Sequence, residues 1–215
     1  VHESVKDQLI DALSARIEEV YGTIESQKTN RDLCRIVNHQ HAQRVAELLE
    51  NVRATSKRVI GGNVDLDDRY ISPTIIDSPP LDSKIMSEEI FGPLLPVVSF
   101  STIDEALELI NEKPKPLALY IFSKNRRNID YVLNNTTAGG SCINTCLVHF
   151  IHSNLPVGGV NNSGIGKSHG KYGFLAFSNE RGVVEERFSL THLLFAPYTK
   201  RVRSMITHTV RWLSR

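Results

Sequence analysis

The amino-acid sequence predicts an α/β protein whose main domain is built on a parallel sheet. Two amphipathic helical patterns open the chain, over residues 5–20 and 39–52, with apolar side chains at three- and four-residue spacing. From residue 95 onward the chain alternates strand, helix, strand, helix, strand, which is typical of crossovers in a parallel sheet. A chain of 215 residues with 40% hydrophobic content is long enough to bury one sizeable core.

Each element is predicted from local signals, taken in chain order. Ser4 is expected to cap the first helix and Gly22 to end it. Two strand-like segments, 58–62 and 70–76, flank an acidic turn and predict a strand pair. The alternating part that follows comprises strands over 95–100, 117–122 and 140–144 and helices over 103–112 and 126–134, with Pro114 and Pro116 ending the first of these helices.

Composition excludes several classes of protein. The formal net charge of +1 lacks the basic excess of a nucleic-acid binder, so no nucleic acid is expected as a partner. No apolar run reaches the length of a membrane span. Three cysteines are too few for a disulfide framework, which favours a reducing, cytoplasmic setting, and we expect Cys142 and Cys146 to be buried structural thiols.

The glycine-rich segment at residues 155–170 ends like a phosphate-binding loop. Asn161 stands where that signature needs a glycine, however, and no strand-like run leads into it. We therefore reject nucleoside triphosphate binding. The glycines are instead predicted to allow tight turns, positive φ angles and close backbone approach, at Gly158, Gly159, Gly164 and Gly166.

Two other segments each leave two interpretations open. In the motif Glu-Glu-Ile-Phe-Gly-Pro at residues 88–93, a carboxylate could accept hydrogen bonds from a ribose diol and an aromatic ring could pack beside nicotinamide. The same residues also fit a solvated acidic turn with Phe91 in the core. The apolar run at residues 147–151 lies in an expected loop and fits either a substrate channel or ordinary core packing.

The motif at residues 88–93 and the segment Leu-Pro-Val-Gly-Gly-Val-Asn-Asn-Ser-Gly-Ile-Gly-Lys-Ser-His-Gly at residues 155–170 together resemble the catalytic half of aldehyde dehydrogenases. The His-Gly-Lys-Tyr that follows the glycines, at residues 169–172, is similar to the class 3, fatty-aldehyde branch. The resemblance covers roughly residues 1 to 190 and implies an NAD or NADP cofactor, with Glu89 on the nicotinamide ribose and Phe91 near the ring. It also implies a substrate entrance lined by Leu147, Phe150, Ile151 and Val157, where Val157 replaces a Phe common in relatives and suggests a wider pocket.

The sequence is expected to be part of a larger protein. It begins with Val1, and Val1-His2 reads like the end of a strand running into a helix. The resemblance implies that the nucleophilic Cys, the general-base Glu and the dinucleotide-binding domain precede this point. We therefore assign no catalytic residue and no metal ligand to this chain, and we expect no dehydrogenase activity from it alone.

Three segments are predicted along the chain. Residues 1–178 form a partial catalytic domain, residues 179–197 an oligomerisation segment with a strand near Val183 and Val184, and residues 198–215 a basic amphipathic tail. The strand predicts a homodimer. The tail is expected either to contact an anionic membrane surface or to dock on the parent protein or a dimer partner, so the protein is predicted to be cytoplasmic with a tail that could associate with a membrane.

The predicted function is that of part of an NAD(P)-dependent aldehyde dehydrogenase. The resemblance implies oxidation of medium- or long-chain aliphatic or aromatic aldehydes to carboxylic acids through a Cys thioester. One alternative is a catalytically inactive binding or oligomerisation module of the same fold. A second alternative is an unrelated phosphate-binding α/β protein.

Overall fold

A computed structural model describes residues 1–189 and 195–214. The chain divides into two compact units, Val1–Gly173 and Phe174–Arg215. The helices are α1 (Glu3–Tyr21), α2 (His39–Arg53), α3 (Ile103–Glu112), α4 (Arg126–Asn135), α5 (Val148–Ile151), α6 (Gly170–Ala176) and α7 (Lys200–Leu213). The strands are β1 (Arg58–Ile60), β2 (Val64–Asp65), β3 (Tyr70–Ile71), β4 (Thr74–Asp77), β5 (Leu94–Val97), β6 (Ala118–Ile121) and β7 (Gly140–Ile143).

The strands pair in both directions, which corrects the prediction of a parallel sheet. β4 runs parallel to β5 with Ile75 opposite Leu95, and β6 runs parallel to β7. β1, however, joins the other edge of β4 in the antiparallel direction, and β2 and β3 form a short antiparallel pair. The chain between β1 and β4 holds no crossover helix, and such a short connection favours antiparallel pairing. The fold is therefore α/β with a mixed sheet.

The first three residues extend this sheet, as the strand-like Val1-His2 predicted. The amide of Phe100 donates to the carbonyl oxygen of Val1 at 3.0 Å, and the amide of Glu3 donates to that of Phe100 at 2.9 Å. His2 and Phe100 thus form a parallel bridge just before α1 begins. The helix is capped by the His2 ring, which accepts from the Ser4 amide, so the prediction of Ser4 as the cap was wrong by two residues.

Helices cover both faces of the sheet. Ile75 and Ile76 are neighbours on β4 and therefore point to opposite faces. Ile75 packs in a cluster with Ile10 of α1, whereas Ile76 packs in the larger cluster formed with α2. The buried α2 residues recur at helical spacing and supply most of that larger cluster, namely Val45, Ala46, Leu48, Leu49 and Val52.

The thiols are distributed differently from the prediction. Cys142 is buried in β7, as expected, but Cys146 is exposed, as is Cys34, and all three are free. Cys146 follows the end of β7, so it leaves the sheet before its side chain can enter the core.

The carboxyl-terminal unit contains α7, which confirms a helix in the predicted tail. Residues 179–189 adopt neither helix nor strand, and the predicted segment 179–197 also includes residues 190–194, which lie outside the described part. A strand at Val183 and Val184 that pairs with a second chain stays a prediction. Within residues 1–189 and 195–214, every helix is too short or too polar to cross a bilayer.

Candidate cofactor turn and apolar cavity

The turn at residues 88–93 is fastened to α2 just before β5. Both terminal nitrogens of the Arg44 side chain donate to main-chain carbonyl oxygens of the turn, to Glu89 at 3.0 Å and to Ile90 at 2.6 Å. Ile90 packs against the core cluster of α2. A Cβ atom at Gly92 would lie 2.8 Å from a methyl carbon of the buried Val45, so only glycine allows this approach.

This anchoring leaves the side chains of Glu89 and Phe91 facing solvent. Phe91 is 74% exposed and has a φ of +44°, in the left-handed region that bulky residues rarely adopt. The alternative that placed Phe91 in the core was therefore wrong. A residue held in an unusual backbone conformation by its surroundings is often functional. The arrangement offers an accessible carboxylate, which can accept hydrogen bonds from hydroxyl groups, and an accessible aromatic ring, which can pack against a flat group.

An apolar cavity of about 140 Å³ lies at the amino-terminal ends of β6 and β7. Leu147, Phe150 and Val157, three of the four residues predicted to line a substrate entrance, are in its wall. Ile151 is outside the set of lining residues and is 78% exposed. The remaining wall is formed by Leu117, Ala118, Tyr120, Gly139, Gly140, His149 and Gly158.

The segment 147–151, which supplies three of the wall residues, contains the short helix α5 rather than the expected loop. Leu147 has a φ of +64° and immediately precedes α5. This left-handed residue reverses the chain after β7, so that α5 packs back toward the strand. The ring of Phe150 meets that of His169 edge to face, with 5.2 Å between centroids, which links α5 to the end of the glycine-rich segment.

His149 is a cavity residue that sequence reasoning did not identify. It was expected to be structural or exposed, yet its half-buried ring lies in the cavity wall, 5.8 Å from the Tyr120 ring. Its Nδ1 lies 3.2 Å from the Sγ atom of Cys142. No local pattern signals this contact, because it depends on α5 folding back over β7.

The glycine-rich segment is closed at its base into a loop, residues 157–168, here called the glycine loop. Val157 and Ser168 exchange main-chain hydrogen bonds of 3.1 and 2.7 Å. Close approach is confirmed at Gly159, where a Cβ atom would lie 2.0 Å from the Ser163 carbonyl oxygen. Positive φ is confirmed at Gly164 and Gly166.

Lys167 binds main-chain carbonyls of the glycine loop and of the start of β7. Its ammonium group donates to the carbonyl oxygens of Gly158 at 2.7 Å, Gly139 at 3.1 Å and Gly159 at 3.3 Å. An ammonium has three protons, so these bonds occupy its donor capacity. Two of the three glycines, Gly139 and Gly158, line the apolar cavity, so Lys167 holds a cavity wall rather than a phosphate.

Metal-ligating side chains are dispersed in the described part of the chain. Across residues 1–189 and 195–214, no three His, Cys, Asp or Glu side chains converge as a metal site would require. His39 at the start of α2 instead bonds through Nδ1 to the carbonyl oxygen of Leu66 at 3.0 Å.

Known proteins share much of this sequence. The chain is 45% identical over 184 residues to 4,4'-diaponeurosporen-aldehyde dehydrogenase of Staphylococcus aureus, covering 86% of the chain and 39% of that protein. It is 43% identical over 178 residues to aldehyde dehydrogenase family 3 member A2 of Rattus norvegicus, covering 83% and 36%. The chain thus spans less than half the length of these relatives.

Solved structures share the fold. The substrate-bound state of Staphylococcus aureus AldH superposes with a TM-score of 0.84 at 40% identity, covering 97% of this chain and 45% of that one. Betaine aldehyde dehydrogenase from the same organism, solved in complex with NAD+, superposes with a TM-score of 0.68 at 25% identity, covering 88% and 40%. Residues 1–183 match the family described as "Aldehyde dehydrogenase family". The chain therefore belongs to the aldehyde dehydrogenase family, whose members oxidise aldehydes with NAD(P).

Proposed function

We propose that this chain is the carboxyl-terminal catalytic portion of an NAD(P)-dependent aldehyde dehydrogenase of the family 3 type. In this role it supplies the cofactor turn and part of the aldehyde entrance, and the nucleophile is supplied by polypeptide that precedes Val1. The parallel bridge between His2 and Phe100 supports this placement, since a strand continuing before Val1 in the same direction would lie beside β5.

The observation that carries the proposal is the turn bearing Glu89 and Phe91. Arg44 holds its main chain, so the two side chains are presented to solvent without the turn being loose. In the proposed enzyme, the Glu89 carboxylate accepts hydrogen bonds from the nicotinamide ribose and Phe91 packs near the ring. When bound, NAD(P)+ accepts a hydride from the substrate.

The cavity supports an aldehyde with a bulky apolar group. Its volume of about 140 Å³ is close to that of engineered apolar cavities that take up benzene. An aryl ring or a short segment of an alkyl chain fits this space, and the remainder of a longer chain would extend toward exposed Ile151. We propose aromatic and medium- or long-chain aliphatic aldehydes as substrates, with Leu147, Phe150 and Val157 as the enclosing contacts.

The competing function is that of an inactive module of the same fold that pairs with a full-length partner. Exposed apolar side chains at Val183 and Val184 favour an association of this kind, through a strand added to a partner's sheet. Both functions predict a homodimer or related assembly, so oligomeric state does not distinguish them. Aldehyde oxidation by the complete protein does, because only the first function predicts it.

The test begins with the DNA upstream of the Val1 codon. An in-frame sequence encoding a Gly-Gln-x-Cys segment supports the enzyme, and a start codon at that place favours the inactive module. The complete reading frame would then be expressed and assayed for NAD(P)+-dependent oxidation of benzaldehyde and decanal. We expect activity from the complete protein and none from this chain alone. Aldehyde oxidation by the chain alone that disappears in Cys146→Ala would overturn the assignment of the nucleophile.

The cofactor assignment is tested in the complete enzyme by Glu89→Gln. Loss of the carboxylate should lower kcat/KM for the cofactor at least tenfold, an effect of about 1.4 kcal/mol on the transition state. Glu88→Gln is the matched control, because Glu88 is the adjacent exposed carboxylate. Equal effects of the two variants would show that Glu89 has no specific role.

A further inference from the structure

A groove of about 340 Å³, here called the α1 groove, lies beside the carboxyl-terminal part of α1. Its wall is built from α1, from the turn that follows it and from residues next to β1 and β4, which are distant from α1 in sequence. The wall residues are Ser14, Ile17, Glu18, Thr23, Ile24, Glu25, Gln27, Ile60, Gly61 and Pro73. The groove shares no residue with the turn at 88–93 or with the apolar cavity.

Gln27 is the most buried residue of this wall, with 5% of its surface exposed. Its Nε2 donates to the carbonyl oxygen of Gly22 at 3.1 Å, and its main-chain amide donates to that of Thr23 at 2.9 Å. The side-chain amide cannot be turned over, because Oε1 would then face the Gly22 carbonyl oxygen. Within the described part of the chain, the buried Oε1 has no hydrogen-bond partner. A buried acceptor of this kind calls for a donor from a bound group.

The exposed part of the groove wall is negatively charged. Glu18 and Glu25 are exposed wall residues, and none of the described residues that form the wall is Lys, Arg or His. Among the ion pairs of the described residues, none includes Glu18 or Glu25. The cations nearest to them in sequence are engaged in other ion pairs, Arg16–Glu19 and Lys28–Asp65. The two carboxylates are therefore available to a cation from solution.

Apolar side chains form much of the remaining wall, namely Ile17, Ile24, Ile60 and Pro73. A hydrated metal ion would gain nothing from these contacts, and the described residues hold no cluster of three metal-ligating side chains. An anion would be repelled by the two carboxylates. A neutral apolar molecule would leave the Gln27 acceptor without a donor. The wall therefore fits an organic cation that has both N–H donors and an alkyl chain.

We propose that the α1 groove binds a linear aliphatic amine that carries two or more ammonium groups. One ammonium group donates to Oε1 of Gln27, the methylene chain lies along Ile17 and Ile60, and a second ammonium group pairs with Glu18 and Glu25. The proposal is independent of the proposed dehydrogenase function, since it depends only on residues of the groove wall.

The test uses the whole 215-residue chain and cadaverine, a linear diamine, as the probe. Isothermal titration calorimetry measures binding, and hydrogen exchange followed by mass spectrometry locates it. We expect saturable binding that high salt weakens, with slower exchange in peptides covering residues 14–27 and unchanged exchange in peptides covering residues 139–168. Pentanediol, which has the same carbon chain without charge, and magnesium chloride, which has the charge without the chain, should both fail to bind there.

Variants test the charged and the buried parts of the groove wall separately. Glu18→Gln/Glu25→Gln changes only exposed side chains and should weaken cadaverine binding at least tenfold. Glu19→Gln is the matched control, because Glu19 is the next exposed carboxylate of α1 but is not in the wall, and it should leave binding unchanged. Gln27→Leu removes the buried acceptor and should weaken binding at least fivefold. Urea denaturation checks that each variant remains folded, and the two glutamate variants decide the matter if Gln27→Leu does not fold.

Four results would overturn the proposal. Absence of binding at millimolar cadaverine would show that the groove is not an amine site. Equal binding of pentanediol would remove the role of charge, and equal protection by magnesium chloride would remove the role of the alkyl chain. Equal weakening by Glu19→Gln would show that the diamine binds to surface charge in general.

Discussion

The guanidinium group of Arg44 donates to the carbonyl oxygen of Glu89 across 3.0 Å, so helix α2 holds the main chain of the residue whose side chain is the proposed ribose ligand. Arg44 is one residue before Val45, which is fully buried and meets Gly92 of the same turn. The turn is therefore tied to the core by polar and apolar contacts from adjacent helix positions. This connection gives the exposed carboxylate a defined location.

Replacing Arg44 with Met should loosen the turn. The carbonyl groups of Glu89 and Ile90 would lose both side-chain donors, at a cost of about 1 to 3 kcal/mol. Hydrogen exchange followed by mass spectrometry should show faster exchange in peptides covering residues 88–93. Arg53→Met is the matched control, because Arg53 is on the same helix but donates to Gly62 and Glu50. Unchanged exchange at the turn would contradict the role of Arg44.

The buried ion pair between Lys6 and Asp77 should contribute strongly to stability. The Lys6 ammonium lies 2.8 Å from an Asp77 oxygen, and the residues are 8% and 1% exposed. Lys6→Met leaves a buried carboxylate without its cation and should cost about 3 to 5 kcal/mol of unfolding free energy. The double variant Lys6→Met/Asp77→Leu should recover much of that loss. Urea denaturation measures the loss in Lys6→Met and its recovery in the double variant. A Lys6→Met variant as stable as the wild type would refute the prediction.

The same pair predicts how stability depends on pH. Burial raises the pKa of Asp77, but the hydrogen bonds from Lys6 and Ser78 outweigh it and hold that pKa below its usual value of 3.8. The hydrogen bond to Asp77 raises the pKa of Lys6 above its usual 10.5. The Asp77 contribution is therefore lost as pH falls through its depressed pKa, and the Lys6 contribution is lost as pH rises through its raised pKa.

The stability difference between the wild type and Lys6→Met/Asp77→Leu should accordingly be constant from about pH 5 to pH 9.5. This difference should change only below about pH 5, where Asp77 gains a proton, and above about pH 9.5, where Lys6 loses one. Urea denaturation at intervals of pH measures this profile. A slope near neutral pH would show that another group dominates the linkage.

Lys167→Met should loosen the wall of the apolar cavity. The variant keeps an unbranched side chain of nearly the same length but leaves the carbonyls of Gly139, Gly158 and Gly159 without their shared donor. A loss of about 1 to 3 kcal/mol in unfolding free energy is expected, with faster exchange in peptides of the glycine loop. Lys167→Arg should retain part of the unfolding free energy and part of the protection from exchange. The variant Lys171→Met, at an exposed lysine, should change neither quantity. Equal behaviour of the Lys167→Met and Lys171→Met variants would contradict the prediction.

Much of the secondary structure follows from local patterns. The helix predicted over 103–112 has those bounds in the structure, and the predictions for α2 and α4 end within one residue of the observed helices. These elements were predictable because the apolar side chains that they bury repeat with the helical period. The pairing of segment 58–62 with segment 70–76 was also predicted, and β1 does pair with β4. Their union with β5 in one mixed sheet was missed, since it depends on which distant strand β4 reaches and not on local residues.

The candidate site was predictable only in part. Sequence motifs identified two candidate cofactor residues, Glu89 and Phe91. They also identified Leu147, Phe150 and Val157, which do line one cavity. Arg44 and His149 were missed. Arg44 is 45 residues from Glu89 in sequence, and nothing in its own helical context marks it as different from arginines that only face solvent.

Local periodicity and turn chemistry are sufficient for helices α1 to α4, most strands, the glycine turns and the amphipathic division of α7, because each of these depends on residues within a few positions of one another. Tertiary packing selects the rest: the mixed sheet, the outward orientation of Phe91, the cavity between β6, β7 and α5, and the capture of Lys167 by three carbonyls. Those features require contacts between residues that are far apart in the chain. Their free energy becomes available only when the chain has folded and water has left the spaces between them.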